Sequence, residues 1–275
     1  MQAHIATLPH RAVIRITGPD WAPFLKGLYT AHLDEMLHES ASGGPFRLHY
    51  GAFLRPQGKM YADALLRLAA PDDVHIDVPA KARAELLAKL NMYRLRAKVE
   101  ISTVDAQVSV ALGAIPEGFL PDPRSAITGG TFGMAYGPQQ ATTDANAWAD
   151  FRYAHGFADM GPDFAADELY AIDANLDLLG AIDFHKGCYV GQELTSRMKR
   201  RGQIKNRILG LKHDSRLAMG AEILSGDRRA GEVLASGDGV SLGLMRLDRL
   251  DGMLTVDGAP VQLNVAGWIA PHAST

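Results

Sequence analysis

Cysteine is nearly absent: 275 residues contain a single one, Cys188. One thiol excludes an internal disulfide and suggests a reducing compartment. It also excludes a stable iron–sulfur cluster held by one copy of the chain, because such clusters take about four thiolates, sometimes with histidine substitutes. Long apolar runs are missing as well. No stretch approaches the ~18 consecutive apolar residues of a membrane-spanning helix. The opening MQAHIATLPHRAVIRITG has no basic segment followed by an apolar one, so no signal peptide is expected. Excess positive charge is lacking too: 28 Lys and Arg against 31 Asp and Glu leave a net charge of -3, which argues against direct DNA binding. No GxxxxGK[ST] or HExxH occurs, and Gly237-Asp238-Gly239 with Gly243 misses the dinucleotide spacing and reads as a turn. His10, His32, His38, His49, His75 and His155 show no mutual ligand spacing, so no metal site is expected. With 47% hydrophobic and 21% charged residues, general disorder is excluded. A cytoplasmic protein without membrane contact is the economical expectation.

What is present reads as an α+β body followed by a small β domain. Ala12–Ile16 predicts a strand, and Asp20 is placed to cap a helix bearing Phe24, Leu25 and Leu28. Phe46–Phe53 and Met60–Leu68 predict strands joined at Arg55-Pro56-Gln57-Gly58. Lys81–Arg96 is the clearest helix, with Leu86, Leu90 and Tyr93 on one stripe, and strands are expected at Lys98–Val104 and Val108–Leu112. Residues 113–145 read as loops with one weak strand, followed by a mixed helix and loop segment that includes Asp167–Leu179. From Gln203 onward the texture changes to short alternating runs (Ile208–Leu211, Glu232–Ala235, Ser241–Met245, Val261–Val265) broken by turn pairs, the pattern of a small barrel. The expected division is 1–202 and 203–275.

The richest stretch is HKGCYVGQELTSR, His185–Arg197. An apolar interior would surround a passive cysteine with Leu, Val and Ile, whereas Cys188 follows His185, Lys186 and Gly187 and precedes a helix start near Gly191. A nearby ammonium and a helix N-terminus both favour the thiolate. Gly187 and Gly191 allow close backbone approach or positive φ. Glu193 and Arg197 are spaced to pair across one helical turn, Lys199, Arg200 and Arg201 suit the last turn, and Gly202 suits an αL closure. The run Lys199–Arg207 could touch RNA phosphate, though one short basic run is a weak signal.

KGCYVGQE (Lys186–Glu193) resembles the signature of YgfZ-type folate-binding proteins. Their mitochondrial relatives assist iron–sulfur protein maturation, and they share a superfamily with the aminomethyltransferase T-protein of the glycine cleavage system. ITGPDWAPFLKGLYT, LRPQGKMYADALL, LNMYRLRAKVEI, IDANLDLLGAIDFHKGCYVGQE, AGEVLASG and GLMRLD resemble further family segments. The resemblance implies a GcvT-like ring of α+β subdomains with antiparallel sheets and a C-terminal β-barrel, with tetrahydrofolate bound near the centre. It further implies a role in cluster assembly or repair, with iron–sulfur clients or assembly factors as partners, among them radical-SAM tRNA methylthiolases.

Cys188, activated by Lys186, is then the expected reactive pair. A pterin needs an opposing carboxylate or amide, stacking rings, and cations for its glutamate tail. Gln192, Glu193 and Asp63 are candidate pterin partners, Tyr189, Trp21 and Tyr61 candidate rings, and Lys186, Lys199, Arg200 and Arg201 candidates for the tail. Gly187, Gly191 and Arg197 complete the expected folate set. In the T-protein a segment close to RLEAG supplies a carboxylate; the matching run here is RYAHG, Arg152–Gly156, with Ala154 at the glutamate position. That argues against methylene transfer from a lipoyl arm. Two alternatives stay open: a folate-dependent aminomethyltransferase or demethylase, and a scaffold that needs no small ligand.

Overall fold

The computed structural model describes residues 2–200 and 204–273. In chain order the body comprises β1 (His4–Thr7), β2 (Arg11–Thr17), α1 (Trp21–Lys26), α2 (Asp34–Ser42), β3 (His49–Leu54), β4 (Met60–Ala70), β5 (Asp73–Pro79), α3 (Ala80–Arg94), β6 (Glu100–Val104), β7 (Val108–Leu112), β8 (Leu120–Pro121), α4 (Ser125–Thr128), β9 (Phe132–Tyr136), α5 (Ala145–His155) and α6 (Gln192–Arg200). Six further strands follow: β10 (Asn206–Lys212), β11 (Glu222–Ser225), β12 (Arg228–Ser236), β13 (Val240–Arg246), β14 (Leu254–Val256) and β15 (Ala259–Asn264). The strands build a five-stranded sheet in the order β3-β4-β5-β2-β6, a four-stranded sheet β1-β7-β9-β8, and a closed barrel β10-β13-β12-β11-β14-β15. Every ladder is antiparallel, and the α+β expectation with its C-terminal barrel holds.

Period-two alternation explains the layering. In β2, Ile14 and Ile16 face α1–α3, where they pack with Trp21, Leu25, Leu86 and Leu90. Val13 points the other way, into a second core shared with Val110, Phe132 and Trp148. The five-stranded sheet is therefore covered on both faces, by helices on one side and by the second sheet with α5 on the other. The barrel has its own core of Leu209, Leu211, Ile223, Val233, Met245 and Val256.

Several boundaries differ from the sequence reading. α3 ends at Arg94, and Tyr93 stands 41% exposed instead of joining Leu86 and Leu90. Asp20 makes no side-chain cap; its carboxylate accepts from the Lys98 backbone N–H at 2.8 Å. The helix of the mixed segment is α5, capped by Asp144, whereas Asp167–Leu179 is a run of turns. β5 carries Asp77 amid its apolar positions and α2 buries only Met36 and Glu39, so neither shows a clear periodic signal. The expected boundary at 202/203, with Arg201 and Gly202, lies outside the described residues.

Body and barrel join through buried polar contacts. Arg207 of β10, 1% exposed, donates to Asp177 Oδ1 and Oδ2 at 2.9 and 3.0 Å and to the Ile172 carbonyl at 3.1 Å. It is therefore not free to meet RNA phosphate, which removes one cation from the weak basic run at Lys199–Arg207. Nearby, Asp173 is 5% exposed with Oδ1 unpartnered among the described residues. Burial pushes its carboxyl up to about 6, against the Asn206 hydrogen bond and the Arg207 charge. A carboxyl whose folded value is raised favours the fold below its unfolded value of 3.8, and that contribution is lost as pH rises through about 6. Asp173→Asn is therefore expected to add about 1–3 kcal/mol to the unfolding free energy near pH 7.5 and little near pH 4. Urea unfolding at the two pH values checks this, and an equal gain at both would contradict it.

Candidate functional site

The loop 183–191 is tied down by the residues that follow α1. Thr30, fully buried, donates its hydroxyl to the Ala181 carbonyl at 2.7 Å and accepts from Ala52 N–H at 2.8 Å. The backbone N–H groups of Asp183 and Val190 donate to the carbonyls of Thr30 and Gly27, each at 3.0 Å. At the far end Gly191 lies at φ +85°, and a Cβ there would sit 2.6 Å from the Arg55 carbonyl oxygen and 2.8 Å from Leu54 Cβ. Only glycine fits, so the chain turns tightly against β3 and launches α6. Thr195 returns its hydroxyl to the Gly191 carbonyl at 3.0 Å, which locks the first turn.

This anchoring leaves Cys188 exposed on the wall of a groove of about 550 Å³. Among the described residues its sulfur makes no hydrogen bond. The groove gathers Tyr189, Gln192, Glu193, Lys199 and Arg200 from the expected set and adds Phe184 and Ser196. Ser196 could have been found from sequence, since Gln192, Ser196 and Arg200 follow one another at helical spacing. Phe184 carries no periodic signal, because its loop has none. Tyr189 is 6% exposed and forms the groove wall, with its hydroxyl unpartnered among the described residues. Lys199 is already paired with Asp177 at 2.9 Å, which leaves Arg200 as the freer cation.

Other expected residues go elsewhere. Lys186 does not attend the thiol: its ammonium donates to the Tyr29 and Ala31 carbonyls at 2.7 and 2.9 Å. With Gly187 it borders a different cavity, between Ala22, Leu33 and His185. Burial lowers the Lys186 pKa to about 8, partly offset by Asp183. The lysine is thus a clamp on the loop, with its ammonium committed to two backbone carbonyls. Gly187 has nothing within 4 Å of a Cβ position, so no close approach requires it. Arg197 makes no ion pair with Glu193 among the described residues, and both are exposed. Trp21 and Tyr61 belong to the core packed under α1–α3.

Asp63 is 1% exposed and lies in a buried charge cluster that the sequence reading missed. Arg11 donates to Asp63 at 2.8 Å, to Asp77 at 2.8 Å and to Asp159 at 3.2 Å. Asp159 also accepts from Trp148 Nε1 at 2.9 Å and contacts His10 Nε2 at 2.9 Å. Burial raises the carboxyls of Asp63 and Asp77 despite the Arg11 charge. For Asp159 burial acts in the same direction, but the His10 hydrogen bond and the charges of Arg11 and Arg152 outweigh it and hold the carboxyl well below its ordinary range. A ligand could reach Asp63 only by opening this packing. Ala154 is exposed on α5 and offers no carboxylate.

Over 96% of its length the chain matches the crystal structure of glycine cleavage system aminomethyltransferase T from Bartonella henselae, with a TM-score of 0.69, 16% identity and 85% of that chain covered. Residues 205–271 match the family model of the CAF17 C-terminal beta-barrel domain. This is a GcvT-like fold with a CAF17-type barrel. The CAF17/IBA57 likeness extends through the body. The chain is 28% identical to the mitochondrial iron–sulfur cluster assembly factor IBA57 of Mus musculus, over 96% of this chain and 83% of that protein. To the Homo sapiens protein it is also 28% identical, over 95% and 84%. Against the IBA57 homolog of Mycosarcoma maydis identity is 30% over 75% of this chain, which spans 56% of that relative. These relatives are mitochondrial, which overturns the expected cytoplasmic location. They are named IBA57 proteins, so the likeness found is to the broader CAF17/IBA57 grouping and not to the YgfZ-type proteins suggested by KGCYVGQE.

Proposed function

We propose that this CAF17/IBA57-type chain is an accessory factor of iron–sulfur cluster assembly, of the YgfZ type in its cysteine loop, and that Cys188 is the atom its clients meet. The observation that carries this reading is the placement of the single thiol: exposed, unbonded, and held by an anchored loop beside a groove. A structural cysteine of this size is ordinarily buried. Cys188 acts by ligand exchange. Its thiol gives up a proton to solvent, its sulfur enters the coordination of an iron held by the client, and the departing ligand takes up a proton. One iron–ligand bond is broken and one iron–sulfur bond formed, with no change of oxidation state.

The groove also suits a tetrahydrofolate. Its volume of about 550 Å³ is in the range of small-molecule sites. Phe184 offers a ring face, Glu193 and Gln192 offer acceptors to the pterin donors, and Arg200 offers a cation to the glutamate tail. Calorimetry is expected to show binding of tetrahydrofolate, tightened by polyglutamylation and lost in Glu193→Ala; no heat with either form would remove folate from the reading.

Cys188→Ala is expected to abolish rescue of an iron–sulfur client in cells lacking the protein, with the melting temperature within about 2 °C of the parent, since an exposed side chain contributes little to stability. Rescue at the parental level by this variant would refute the assignment.

A further inference from the structure

The turn from α3 into β6 has a surface that nothing in the fold requires. Six large apolar side chains are exposed among the described residues, and three of them, Met92, Tyr93 and Leu95, fall within four positions. Leu95 is 87% exposed and sits at φ 42°, ψ -103°, a conformation unfavourable for any residue with a Cβ. Such a residue costs stability twice, through backbone strain and through apolar surface left in water. Arg94, Arg96 and Lys98 flank it, all exposed, and none makes an ion pair among the described residues. The net charge of the whole chain is -3, so this local excess of cations does not reflect a generally basic surface. Beside the turn lies a small, mostly apolar notch of about 30 Å³, bordered by Leu28, Phe53, Tyr93 and Val190 and by the Lys89 side chain. Val190 belongs to the loop that carries Cys188.

We propose that this turn and its notch form a docking surface for an acidic protein segment bearing a projecting apolar side chain. Cations without internal partners call for carboxylates, and a preformed apolar hollow calls for a side chain to fill it. A phosphate backbone would use the cations but leave the hollow and Leu95 unmatched. A lipid surface would take Leu95 and Met92 but has no use for a concave notch. A partner seated here touches the Val190 side of the loop whose other side presents the thiol.

The probe is a fluorescein-labelled peptide of about twelve residues, all glutamate and aspartate except for one central valine, small enough for the notch, titrated by anisotropy. Saturable binding is expected, weakening as salt rises and at least about tenfold weaker for the double variant Arg94→Glu/Arg96→Glu. Leu95→Gly separates docking from architecture: it should raise the melting temperature by relieving strain while weakening the peptide. Cys188→Ala should bind the peptide normally, so failure here and failure of the cysteine reading are distinguishable. The proposal is overturned if the peptide does not bind, if the Arg94/Arg96 or Leu95 variants bind it as the parent does, or if oligouridylate or phosphatidylserine vesicles displace it as well as unlabelled peptide.

Discussion

Arg11→Met is expected to cost about 3–5 kcal/mol of unfolding free energy near pH 7.5, enough to leave the protein partly unfolded at physiological temperature. Arg11 has 4% of its side chain exposed and is paired with Asp63, Asp77 and Asp159, three side chains that are themselves 1–2% exposed as residues. Methionine fills the space of the aliphatic stem but leaves three buried carboxylates facing one another. The sign of the pH dependence follows. Burial already raises Asp63 and Asp77, and without the guanidinium both rise further, so protonation on acidification relieves the repulsion. The deficit of the variant should therefore shrink as pH falls toward about 4.5. Asp63→Asn should be far milder, because Arg11 keeps two partners and the cluster loses a surplus negative charge. Urea unfolding of the three proteins at both pH values is the measurement, and a loss under about 1 kcal/mol for Arg11→Met would show that the cluster does not hold the sheets together.

Gly191→Ala is the second large effect, and it acts at the site. The added methyl meets the Arg55 carbonyl at 2.6 Å and Leu54 Cβ at 2.8 Å while φ stays at +85°. Backbone strain of about 1–2 kcal/mol and overpacking of about 1–3 kcal/mol combine. Neither Leu54 nor Arg55 can retreat easily, since Leu54 is paired with Met60 of β4 and Arg55 N–H donates to the Lys59 carbonyl at 2.8 Å, so the loop must yield. Client rescue should fall at least about tenfold although the thiol is untouched, because small displacements of a positioned group are costly. Gly187→Ala is the control: its Cβ would meet nothing within 4 Å, and both stability and rescue should stay near the parent. Equal behaviour of the two alanine variants would mean that the anchoring of the loop does not matter.

Val108–Leu112 was read at its observed bounds, and the helix near 81–96 and the paired strands around Arg55–Gly58 were found close to theirs, since each has strong local periodicity or turn chemistry. α2 and β5 were missed because their buried positions are few or interrupted by charge. At the site, Cys188 is singled out by its glycine-flanked loop, and Gln192, Glu193 and Arg200 by the folate that the resemblance implies; all four border one groove. Lys186 and Asp63 have polar partners that no local spacing announces. Lys186 is two positions from the thiol, yet its ammonium is bound 155 and 157 residues away along the chain.

Local preferences along the chain set the elements with marked periodicity, the place of the tight turns, the barrel texture of the C-terminal third, and the presence of one thiol in a glycine-flanked loop before a helix. These are local properties, set by φ and ψ preferences and by side-chain period. Which polar groups meet was decided only by the tertiary structure. A lysine reaches whichever carbonyls the fold brings near it, and a carboxylate becomes costly or stabilising according to neighbours from distant strands and the water that packing removes. Desolvation and charge pairing act through space, so their outcome at Arg11, Asp63 and Lys186 is written in the folded arrangement of segments remote from one another in the chain.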